Sequence, residues 1–154
     1  MKLSPKAHRE LESFFREYFG SKNLKLPQVE IYINRGARLV TNLLCVNGIT
    51  FGRYIFIKPD LISNKRKNQS YISKGLLAHE ATHVLQYQRY GVLKFFYTYL
   101  KGYFSALKKK KKWNFISRVE AYLEIPHERE ARECAAQFIE WTGEMENEKW
   151  KTEN

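Results

Sequence analysis

The apolar positions change period along the chain, and each change marks an element. Leu11, Phe14, Phe15, Tyr18 and Phe19 recur at the spacing of one helix face. Ser4 before Pro5 supplies an N-cap with proline at the first helical position, and Gly20-Ser21 closes the run, so a packing helix is predicted over residues 4–19. After a loop from Leu24 to Pro27, Val29, Ile31 and Ile33 alternate with Glu30, Tyr32 and Asn34, the period of a half-buried strand. Beyond Arg38 the run LVTNLLCVNGITFGRYIFIKPD is rich in β-branched and aromatic residues, with Asn47-Gly48 and Gly52 as punctuation. It predicts one or two further strands, the clearest from Tyr54 to Lys58, stopped by Pro59-Asp60. Residues 63–73, SNKRKNQSYIS, have no apolar period and read as a mobile loop, placed where a lid could act.

The helical period returns at Leu76, Leu77, Ala78, Val84 and Leu85, and Gly91 stands where a glycine would end that helix. In the next helix Lys94, Thr98, Lys101, Ser105 and Lys108 draw a polar stripe on an otherwise largely aromatic surface. This predicts a core helix with one solvated stripe; an interfacial helix on an anionic membrane, strengthened by Lys108 to Lys112, is the alternative. About 16 residues interrupted by two lysines fall short of the ~20 apolar residues that a bilayer crossing needs. Pro126 opens a last helix, in which Glu128, Ala131, Ala135 and Phe138 share a face. Gly143 to Asn154 reads as a fraying acidic tail.

A length of 154 residues, 44% hydrophobic and 15% aromatic, fits one folded domain, 1–154, with its core at about 24–142. Residues 126–154 hold four basic residues against eight glutamates, a net −4, so the remainder of the +11 chain carries +15. That field favours acidic partners. Nucleic acid is not the expected one, because no zinc-finger spacing, glycine-arginine repeat or RNP-type signature accompanies the lysines. Cys45 and Cys134 form no CxxC, and the N-terminus lacks an apolar export segment, which together point to a reducing, cytoplasmic setting with peripheral membrane association as an option.

The chemistry enters at His79-Glu80-Ala81-Thr82-His83, an HExxH inside the apolar helix. Two histidines four residues apart lie one turn apart on one face and can reach a single zinc ion, while Glu80 can act beside the metal as the base that deprotonates its water. Burying three ionisable groups without a purpose is costly, and the surrounding leucines make burial the expectation. A third ligand must come from elsewhere in the chain. Glu128, the lone carboxylate heading an apolar face, is the natural candidate, with Glu130 and His127 as alternatives.

LLAHEATHVLQYQRYG followed by IPHEREARECAAQF, with GRYIFIKPD some twenty residues upstream, resembles the HExxH-containing metallopeptidase-like domains labelled DUF4157, relatives in pattern of the gluzincins and minigluzincins. The resemblance spans roughly residues 47–138. It implies an α+β, zincin-like fold, with a small antiparallel or mixed sheet packed against the HExxH helix. It further implies a zinc-dependent peptidase acting on peptide or protein substrates, with His79 and His83 as ligands and Glu80 as general base. The gluzincin third-ligand pattern ExxxD puts its glutamate on Glu128 but its aspartate on Arg132, a departure that weakens the implied activity more than the implied metal binding. A catalytically inactive structural or interaction module on the same fold is therefore the competing expectation, followed by a basic membrane-surface or nucleic-acid binder. The metzincin pattern fits worse, with Gln86 and Arg89 where glycine and histidine would stand. For the oxyanion partner that hydrolysis requires, Tyr87, Tyr90, Tyr122 and His127 are candidates.

Overall fold

A computed structural model describes residues 2–44, 46–61, 63–66, 69–110, 114–143 and 149–153. Cys45, Lys111, Lys112 and residues 144–148 of the tail lie outside these. The described residues form an α+β structure of six α-helices and one mixed sheet of seven strands. The chain enters through strand β1 (Lys2–Leu3) and helix α1 (Pro5–Tyr18), whose first turn is capped by the Ser4 hydroxyl accepting from the Ala7 N–H at 3.2 Å. Strand β2 (Glu30–Tyr32) follows, then helix α2 (Arg35–Leu44). Strands β3 (Gly48–Phe51) and β4 (Tyr54–Ile57) form a hairpin that turns at Gly52, where φ is +61°.

Helix α2 occupies the first part of a run that composition assigns to strand. The reason is local: the Asn34 side chain accepts from the Ala37 N–H at 2.9 Å, an N-cap in effect, and Ala37 and Thr41 then lie buried one turn apart. Residues 63–73 are a second correction. Apart from Lys67 and Asn68, which lie outside the described residues, they form not a loop but strands β5 (Ser63–Arg66) and β6 (Gln69–Ser73), paired antiparallel. β5 is the outer edge of the sheet, where backbone pairing needs no apolar alternation and charged residues are the rule.

Helix α3 (Lys74–Tyr90) grows directly out of β6 and ends at Gly91, where φ is +74°. Helices α4 (Val92–Lys109), α5 (Phe115–Leu123) and α6 (Pro126–Thr142) complete the helical layer. The tail is the third correction. Residues Lys149–Glu153 form strand β7 between β1 and β6, antiparallel to both, so the sheet runs β3-β4-β2-β1-β7-β6-β5, with β2 and β4 its parallel pair.

The core lies where α1, α3 and α6 meet the sheet, through residues such as Leu11, Phe15, Ile31, Ile55, Leu77 and Phe138. α4 is not the core helix with one solvated stripe that its polar spacing predicts. Phe95, Ala106 and Leu107 are its buried residues, Thr98 turns inward to bond His127, and a row of apolar side chains faces outward. No helix among the described residues is long and apolar enough to cross a membrane.

Candidate metal centre

α3 and α6 pack against each other, and each brings candidate ligands to their junction. One turn of α3 separates His79 from His83, and their Nε2 atoms approach to 3.3 Å. Glu128 heads α6 because Pro126 fixes the first helical position two residues earlier. Its Oε2 lies 3.3 Å from His79 Nε2 and its Oε1 lies 3.4 Å from His83 Nε2. Ligands about 2.0–2.1 Å from a tetrahedral ion stand about 3.3–3.4 Å from one another. Each of these pairs is therefore at the separation of neighbouring ligands, the two contacts to Glu128 using different oxygens of its carboxylate; with one donor atom per residue the three lie within 4.8 Å of one another, and two imidazoles with one carboxylate form a donor set that leaves a fourth position open.

Glu128 and His83 are each held by further groups. The Glu128 carboxylate accepts from the Tyr99 hydroxyl on Oε1 at 2.9 Å and from the Tyr122 hydroxyl on Oε2 at 2.7 Å. Burial would raise its pKa, but hydrogen bonds to His79, His83 and Tyr122 hold it well below the usual carboxylate range. Burial likewise works against the charged form of His83; the bond to Glu128 and its charge more than offset this, so the net shift is upward.

Gln86 fixes the tautomer of His83. Its amide nitrogen donates to the His127 carbonyl at 3.0 Å and to Glu130 Oε2 at 2.8 Å, which turns its oxygen toward His83. That oxygen sits 2.8 Å from His83 Nδ1, so Nδ1 donates to it, and when the imidazole is neutral it is the Nε2 lone pair that faces the centre.

Glu80, on the same helix, is buried outside this triad. The Thr50 hydroxyl of β3 donates to its Oε2 at 2.7 Å, and burial raises its pKa despite the opposing pull of His83 and His79. A cleft of about 770 Å³ opens over the site, lined among others by Asn47, Gly48, His79, Glu80, Tyr122 and Arg132.

Of the alternative third ligands, neither belongs to the cluster. Glu130 binds Gln86 and Arg89, while His127 pairs with Thr98 at 2.7 Å and stacks on Phe95. Arg132, where an aspartate would support a ligand histidine, donates instead to the Leu123 carbonyl, and its Nη1 is buried without a hydrogen-bond partner among the described residues. Gln86, Thr50 and Tyr99 were not legible as site residues. Only Gln86, three positions after His83 on one helix face, carried a signal that could have been read.

A family described as the eCIS core domain matches residues 2–91, more than half of the chain. The chain belongs to the eCIS core domain family. This family corresponds to the DUF4157 domains. The eCIS core match starts earlier than residue 47 and stops at Gly91, the residue that closes α3. It thus takes in Gly48, Thr50, His79, Glu80, His83 and Gln86, and leaves Glu128 and its two tyrosines outside. No curated protein and no solved structure matches the chain.

Proposed function

We propose that this eCIS core domain chain is a zinc-dependent peptidase of zincin-like arrangement, with His79, His83 and Glu128 as the metal ligands and Glu80 as general base. The observation that carries the reading is the convergence of two imidazoles and one carboxylate, their donor atoms all within 4.8 Å of one another, beside the buried Glu80 and next to a cleft that His79 and Glu80 line. A bound zinc ion supplies Lewis-acid polarisation of a peptide carbonyl and lowers the pKa of its water toward about 7.

The chain's own residues perform the rest. Glu80, with its carboxyl pKa raised by burial, takes the proton from the attacking water and returns it to the leaving amine. Thr50 holds one carboxylate oxygen so that the other stays directed to that task. Tyr122 is the one among the four oxyanion candidates that lines the cleft, and its hydroxyl already points at the ligand cluster. β3 has only β4 as a partner among the described strands, and its Gly48 end lines the cleft, so an extended peptide can pair along the open edge and lie across the ligands. Glu80→Gln is expected to keep zinc and lose hydrolysis of an unstructured protein substrate; cleavage at the wild-type rate in that variant contradicts the assignment.

Arg132 favours a second reading, a metal-binding interaction module without turnover. A guanidinium with a buried, unpaired N–H in the cleft puts a fixed positive charge where the third-ligand pattern has a carboxylate. Zinc bound stoichiometrically with no hydrolysis in the wild type distinguishes that module from the peptidase.

A further inference from the structure

The outward face of α4 is apolar where solvent-facing helices are normally polar. Leu93, Tyr97, Leu100 and Phe104, spaced four, three and four, form one stripe; they are 87%, 66%, 50% and 53% exposed. The stripe lies opposite the buried side, where Phe95 stacks on His127 and where Gly102 lets the helix approach Pro126, whose Cδ would be 3.2 Å from an added Cβ. α5, packed on α4 through Ala106, Leu107, Ala121 and Tyr103, adds exposed Phe115 and Ile116. An apolar surface of this extent, left open on a charged chain, marks a contact site.

Charge identifies the occupant. Between Glu80 and Glu120 the sequence has no acidic residue, and Lys94, Lys101 and Lys108 follow the stripe at seven-residue intervals along one flank. A second copy of the chain is a poor partner for this face, because an antiparallel two-fold contact would set one lysine row against the other and any self-contact joins two chains of net charge +11. A bilayer carrying anionic headgroups meets both requirements at once: aromatic and leucine side chains enter the interfacial region, while lysine stems lie along the apolar surface with their ammonium groups among the phosphates. No described helix can span a bilayer, so α4 would lie in the plane of the interface.

We propose that the exposed α4–α5 surface docks this chain on anionic lipid bilayers, with the Leu93–Phe104 stripe inserted and the lysine flank reading the headgroup charge. The docking does not draw on the proposed metal centre, which α4 faces through Phe95 and Tyr99 rather than through the stripe. It also lies beyond residue 91, outside the family match.

Sedimentation of the full chain with vesicles tests the proposal, using phosphatidylcholine alone and phosphatidylcholine mixed with phosphatidylserine. The chain is expected to bind the mixed vesicles and not the neutral ones. Added salt should weaken the binding, and each lysine removed among Lys94, Lys101 and Lys108 should weaken it about fivefold. Leu93→Gln with Phe104→Gln leaves every charge in place and changes only exposed side chains. Its melting temperature is expected to match the wild type, while its vesicle binding falls at least about tenfold. Equal binding to both vesicle types, no binding to either, or unchanged binding in the Leu93/Phe104 variant overturns the proposal. A concentration-dependent dimer that this variant abolishes, with no vesicle binding, overturns it in favour of self-association.

Discussion

Glu80 has room for its carboxylate because the residue facing it has no side chain. A Cβ built on Gly48 would overlap Glu80 Oε1 and sit 2.9 Å from its Cδ, so at this position the edge strand reaches Glu80 only as backbone. Gly48→Ala should cost little stability, since a side-chain end can shift. The shift must however carry the carboxylate away from its Thr50 bond, and a misplacement of about 1 Å lowers kcat/KM by about a hundredfold. Zinc content should be unchanged. Full activity in Gly48→Ala shows that Glu80 is not the positioned base. At this scale the sequence was informative where one helix sets the geometry: His79 and His83 meet because four residues make a turn. It was silent on Thr50 and Tyr99, whose contacts cross from one element to another and leave no local period.

Helices were easier to read than strands, and the physical reason is visible in each discrepancy. α1 and α6 carry a cap or proline at the start and an apolar face along their length, all encoded within a few residues. α2 carries its start signal in Asn34, a single side chain within a stretch whose β-branched composition points the other way. The outward stripe of α4 inverts the usual pattern: the polar spacing predicts a core helix with one solvated stripe, whereas the apolar row beside it faces outward. β7 is the hardest case: its pairing with β1 joins residues about 150 positions apart, Lys2 with Glu153 and Leu3 with Thr152. A strand bonded on both sides protects its amides, whereas a frayed tail does not. Hydrogen exchange should therefore find the amides of residues 149–153 slowed by about a hundredfold or more relative to an unstructured chain, and exchange at the unstructured rate contradicts their place in the sheet.

On the scale of the whole molecule, the sheet supports the proposed base and the helices carry the candidate ligands. β3 holds Glu80 through Thr50, α3 carries the two histidines, and α6 brings Glu128 from 45 positions beyond His83 in the sequence. The family match ends between the second and third candidate ligands, so completing the proposed site depends on how this chain's own α4–α6 segment folds back onto α3. α+β character was readable from the alternation of periods; the order of seven strands was not, because pairing partners are chosen by tertiary contact. The central claim is that this folded-back helix completes a zinc centre. Metal analysis of natively purified chain, dialysed against zinc and then buffer, tests it most directly, with His83→Ala and Glu128→Ala carried alongside. About one zinc per chain in the wild type, lost in both variants, is the expected result. A wild type that retains no metal, or a Glu128→Ala variant that retains it fully, contradicts the account.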